Sequence, residues 1–136
     1  MRFNTLISVL TLALCGTASQ AVLAASDAEV AFNKEVLQCA AYYHIASDAI
    51  GNMNAPQMQA VGERLKKSGE DAVVLAKQYQ TDAEVDALLE QNIAEQQASL
   101  PSNKNLGGLM NRYKDACQRL LANPQQRLDY WIMATM

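Results

Sequence analysis

The sequence predicts an all-α protein: a small four-helix up-down bundle with a short C-terminal helical segment, stapled by one disulfide. Three observations carry this expectation. Proline occurs only at positions 56, 101 and 124, each where an apolar periodicity has already stopped. No run of β-branched residues alternates with polar ones, so the period-two pattern of a half-buried strand is missing. Long segments instead repeat apolar residues every three or four positions, the period of a helix with a buried face.

Residues 1–25 read as a signal peptide that is removed. MRFN carries Arg2, LISVLTLALCGTA is an apolar stretch short for a bilayer, and Val22, Ala24 and Ala25 are small residues suited to cleavage after Ala24 or Ala25. Lipidation at Cys15 is the rival, disfavoured because Leu12-Ala13-Leu14 puts a bulky Leu before the cysteine where lipoprotein processing usually wants Gly, Ala or Ser. Residues 26–136 then form a single helical domain of about 111 residues, a length suited to one core. The expected location is periplasmic or secreted, with no membrane span in the mature chain.

The first helix opens on Ser26-Asp27-Ala28-Glu29, a capping box. Phe32, Val36, Cys39, Tyr43, Ala46 and Ile50 follow at spacings of four and three, one continuous face, and Gly51-Asn52 stops it. The second begins near Asn54 with Pro56 in its first turn, and its stripe is Met58, Val61, Leu65, Ser68, Ala72, Leu75 and Tyr79. Gly62 and Gly69, seven apart, share a face and predict close approach of a neighbouring helix. The third opens on a second capping box, Thr81-Asp82-Ala83-Glu84, and packs through Val85, Leu88, Leu89 and Ile93 until Leu100-Pro101 ends it. The fourth carries Leu106, Leu109 or Met110, Tyr113, Cys117 and Leu120. Asn123-Pro124 caps a last segment with Leu128, Trp131 and Ile132 on one side.

Charge is distributed unevenly. Residues 82–95 hold five acids and no base, whereas 104–127 hold five bases and one acid. The third and fourth helices are therefore expected to lie side by side with complementary faces; faces left pointing at solvent are the functional alternative. Loss of the leader leaves 10 of the 11 bases against all 14 acids. That balance argues against nucleic acid, which needs a dense basic surface.

Cys39 and Cys117 sit on the stripes of the first and fourth helices, neighbours in an up-down bundle, and in an oxidising compartment an even pair reads as a disulfide. An intermolecular bridge in a homodimer is the lesser alternative. The absence of Cys-x-x-Cys weighs against a redox role. His44, the single histidine, has Asp48 four residues on, a pair that reads as a boundary contact with a pH-dependent role as its functional alternative. No nucleophile elbow, His-Glu-x-x-His or Cys-x-x-Cys-His accompanies it, so neither catalysis, a metal nor covalent haem is expected. Non-covalent haem would need His44 with a methionine from 53, 58, 110 or 133.

Tyr43, Tyr79 and Tyr113 fall on stripes, while Tyr42 points about 100° away from Tyr43, toward a boundary or solvent. Tyr130-Trp131-Ile132-Met133 is an apolar cluster that either closes the bundle or docks a partner. The expected function is non-enzymatic protein–protein binding, in the manner of an inhibitor, an immunity-type protein or a stress protein. Tyr42, His44, Asp48, Tyr130 and Trp131 are the candidate contact residues. A bundle that binds a small apolar ligand or haem is the alternative, and no other cofactor is expected.

Overall fold

Ser26 starts the helix around which everything else is arranged. Its hydroxyl accepts the Glu29 amide at 3.3 Å while Glu29 Oε2 accepts the Ser26 amide at 2.7 Å, so both predicted halves of the capping box form. In the computed structural model, which describes residues 25–136, this helix is α1, Asp27–Gly51. A 3₁₀ turn at Pro56–Met58 leads into α2, Gln59–Ala76. There follow α3, Asp82–Ala98, α4, Gly107–Ala122, and α5, Pro124–Ala134. The described residues contain no strand, and the protein is all-helical. The expected leader with Cys15 lies outside the described residues.

α1 is the core. Twelve of its residues are buried, from Ala28 to Ala46, whereas α2 buries four, α4 three, α3 two and α5 one. α2, α3, α4 and α5 all pack against α1. Contacts fix their directions. Ile50 meets Gly62, Tyr43 meets Gly69 and Asn33 meets Ala76, so α2 runs antiparallel to α1. Tyr42 meets Tyr113 and Cys39 meets Cys117, so α4 does too. α3 starts beside Lys77, whose ammonium lies 3.6 Å from Asp82, and reaches the Gln38 carbonyl at Gln96. That is the alternation of an up-down bundle, with α5 laid across α1.

The glycines of α2 decide where α1 and α2 touch. Gly62 and Gly69 are buried together with Ala72 and Ala76, while Val61, Leu65, Ser68 and Leu75 are only half-buried. The contact line therefore follows the predicted Gly62–Gly69 face and keeps Ala72 of the apolar stripe, while the larger stripe residues stand beside it. Helices close until backbone meets backbone, and small residues allow the shortest approach. Asn33, wholly buried, donates to the Ala76 carbonyl at 3.1 Å and to Gln80 Oε1 at 2.6 Å, capping the end of α2 from across the interface.

Two expectations are corrected. α3 and α4 border a common hollow but do not pair through their charges: no extensive contact joins them, and no ion pair within 4.0 Å links them among the described residues. The acids of α3 instead meet Lys77, which approaches Asp82 and Asp86. Burial on α1 sets the positions of both helices, and exposed charge pairs of a few tenths of a kcal/mol cannot override it. Tyr42 also does not point outward. It is 3 % exposed, tilted against Tyr43 and Tyr113 with ring centroids 5.2 and 5.9 Å away. α4 covers the flank that a single-stripe helix would have left to solvent.

The predicted staple is present. Cys39 and Cys117 are bonded across 78 residues of sequence, and both are buried. The chain-entropy model credits such a ring with roughly 4 kcal/mol. Replacing both cysteines with alanine is expected to lower the unfolding free energy by about that amount, measured by urea denaturation. A loss below about 1 kcal/mol would show that packing alone holds α4 in place. Gly69→Ala is expected to destabilise by about 1 kcal/mol, because its new Cβ would lie 3.2 Å from Tyr43 Cβ, an atom fixed to the backbone. Gly62→Ala meets the Ile50 Cγ2 tip at the same distance near the fraying end of α1, so gained helix propensity offsets the crowding and stability is nearly unchanged.

Candidate functional site

Because α3 and α4 each seek α1 and not one another, the surface along α4 is hollowed on both sides. One hollow, of about 260 Å³, lies between α3 and α4 and has amide-rich walls that include Asn92, Gln96 and Asn105. The other, of about 570 Å³, lies between α4 and α5 over the Cys39–Cys117 bridge. Gln38, Arg112 and Tyr113 border both, so the two hollows adjoin along α4.

The second hollow is rich in guanidinium groups. Arg112, Arg119 and Arg127 line it, with Glu35 as its single carboxylate. Arg112 and Arg119 stand seven residues apart on α4, two full turns, and therefore on one face about 10 Å apart. Asn123 is the only residue between α4 and α5, and its side chain accepts the Gln126 amide at 3.3 Å. With Pro124 in the first turn this cap folds α5 back at once. Arg127 then reaches Glu35 through two parallel hydrogen bonds of 2.6 Å, Nε to Oε2 and Nη2 to Oε1. The carboxylate holds the Arg127 guanidinium further above its ordinary range.

The same guanidinium lies over the rings of Tyr130 at 4.2 Å and Trp131 at 5.6 Å, and Arg112 lies over Tyr113 at 5.3 Å. Leu128 is buried and Trp131 packs half-buried against the core, its indole N–H enclosed without an acceptor among the described residues. Tyr130, Ile132 and Met133 face outward at 46, 44 and 70 % exposure. The C-terminal cluster thus divides: one side closes the bundle and the other is left to solvent. No family model, curated protein or solved structure matches this chain.

The other predicted residues lie elsewhere. His44 Nε2 sits 3.2 Å from Asp48 Oδ2, the expected pair, with both side chains half or more exposed. Nine residues separate Glu35 from His44, two and a half turns of α1, so the two point to opposite sides of it. The His44 hollow, about 660 Å³, includes Met53, but Asp48, Asn52, Asn54, Glu63 and Lys66 share its walls. That lining suits water and ions better than the apolar face of a haem. Burial pushes the Tyr42 and Tyr43 phenols above their ordinary value, and Tyr42 is unavailable as a contact residue. Among the described residues no three His, Cys, Asp or Glu side chains gather as metal ligands would.

Sequence reasoning missed Glu35, Arg112, Arg119 and Arg127 as members of one site. The seven-residue spacing of the α4 arginines was the available signal; the 92-residue separation of Arg127 from Glu35 left none. A double-mutant cycle on Glu35→Gln and Arg127→Gln is expected to give a coupling of about 1 kcal/mol, reduced by salt, because both groups are partly exposed. Zero coupling at low salt would mean that α5 is held by Leu128 and Trp131 alone.

Proposed function

We propose that this is an exported, non-catalytic helical protein that acts by binding another protein, in the manner of an inhibitor, an immunity-type factor or a stress-protective protein. The observation that carries the proposal is the outer face of α5. Met133 is exposed there, with Tyr130 and Ile132 exposed to either side of it, on a helix whose inner side is anchored by Leu128 and the Arg127–Glu35 pair. Tyrosine and arginine fixed by neighbours lose little conformational entropy on association, which is why such residues dominate binding energy at interfaces.

Export is supported by the leader-like pattern of residues 1–25 together with the Cys39–Cys117 bond, which persists in oxidising compartments. None of the described helices is long and apolar enough to cross a membrane. Binding is favoured over catalysis because His44 lies exposed beside Asp48, and the nearby Ser47 hydroxyl donates to the His44 carbonyl at 3.0 Å instead of to its ring.

Immobilised protein is expected to retain a partner from periplasmic extract, and native mass spectrometry to show a defined stoichiometry. The Ile132→Ser, Met133→Ser variant, altered only at exposed positions, is expected to lose that partner while keeping its helicity. Equal retention by the variant would remove α5 from the interface, and failure of either protein to retain any partner would count against the binding function.

A further inference from the structure

We infer that the groove between α4 and α5 receives a short acidic segment of the partner protein, read by Arg112 and Arg119. This rests on the proposal that the protein binds another protein, and it supplies the chemistry of what is bound.

The charge arrangement is the basis. Over the whole sequence acids outnumber bases and the formal net charge is −3, yet this groove gathers three arginines against one glutamate. That glutamate is already engaged, since Glu35 accepts two parallel hydrogen bonds from Arg127. Arg112 and Arg119 are exposed, and neither has a carboxylate within 4.0 Å among the described residues. The five acids of residues 82–95 stay on α3, where Lys77 is the base that meets them. Arg112 and Arg119 thus take no carboxylate from α3. A guanidinium offers a planar fork for a carboxylate, and the Arg112 fork is oriented by the ring of Tyr113 beneath it. Two carboxylates about 10 Å apart match the pair on α4. In an extended segment they would stand about three residues apart, where the rise is close to 3 Å per residue.

The surroundings select a short segment over a long polyanion. Nucleic acid or an anionic membrane would lie across the acidic face of α3, whose Glu95 borders the adjoining hollow. Such a ligand would meet repulsion outside the groove. A few residues confined to the groove meet guanidinium groups and the rings of Tyr113 and Tyr130.

The chain's single tryptophan, Trp131, is a built-in reporter, because Arg127, which lines the groove, lies 5.6 Å from its ring. The experiment titrates the full mature protein, monitored by Trp131 fluorescence, with three probes. These are a ten-residue peptide carrying glutamate at every third position, the same peptide with glutamines, and a ten-nucleotide oligothymidylate. Saturable binding of the glutamate peptide is expected, weakened at least about tenfold by raising salt from 50 to 500 mM and about as much by Arg112→Glu with Arg119→Glu. Lys66→Glu, in the His44 hollow, is expected to leave it unchanged. Failure of the glutamate peptide to bind, equal binding by the glutamine peptide, indifference to the arginine changes or tighter binding of the oligonucleotide would each overturn the inference. Retention of the natural partner by the Arg112→Glu, Arg119→Glu protein would also overturn it and leave the binding function standing. Loss of the partner from the α5 variant alone would locate the interface on α5 without the groove.

Discussion

The burial of α1 on nearly every side is the constraint from which the remaining arrangement follows. A helix with Tyr42, Tyr43, Leu37 and Ile45 around its circumference cannot satisfy itself with one neighbour. Each other helix is therefore placed by the patch of α1 that it covers. α2 comes closest because it brings Gly62 and Gly69; α4 is placed by Cys117 and Tyr113, and α5 by Leu128. Contact among the outer helices is secondary, and the groove along α4 is the space left where they do not need to meet.

That origin explains why the groove is polar although it adjoins the core. Its floor is the outer edge of an interface already sealed by the disulfide and the tyrosines. Its walls are the solvent sides of α4 and α5, where arginine is tolerated because its stem covers apolar surface while its head stays in water. The buried polar groups of the core have structural roles instead. Asn33 closes the end of α2, and Gln96 donates to the Gln38 carbonyl at 2.9 Å, pinning α3 to α1.

Features coded within three or four residues were legible in the sequence. Both capping boxes, the helical periods, the proline boundaries and the His44–Asp48 pair all appear where the spacing places them. The Cys39–Cys117 bond was legible for a different reason: two stripes and an up-down order leave few choices. Tyr42 was misplaced because a one-stripe pattern assumes a surface helix, and nothing local reports that α1 is central. On α2 the close approach at Gly62 and Gly69 was legible from their seven-residue spacing, whereas the half-burial of Val61, Leu65 and Leu75 beside it was not, because periodicity does not rank large residues against small ones. The charge blocks on α3 and α4 were read as partners, although net burial and not surface charge decides which helices adjoin. The groove was illegible as a unit because its members come from three helices and its one bidentate ion pair spans 92 residues.

The Cys39–Cys117 ring has a further consequence for how the protein opens. α5 and the first turns of α1 lie outside that ring, joined by Leu128 and by the Glu35–Arg127 contact, whose own closure encircles the covalent one. The molecule therefore has two nested loops of unequal permanence. The inner one persists until a reductant reaches a buried sulfur, whereas the outer one is held by non-covalent contacts alone. The eleven residues of α5 form the least costly cooperative unit to detach. Amide hydrogens there exchange through that local opening long before those of α1. One wall of the groove thus stands on a segment outside the covalent ring, and occupancy would register as slowed exchange along α5.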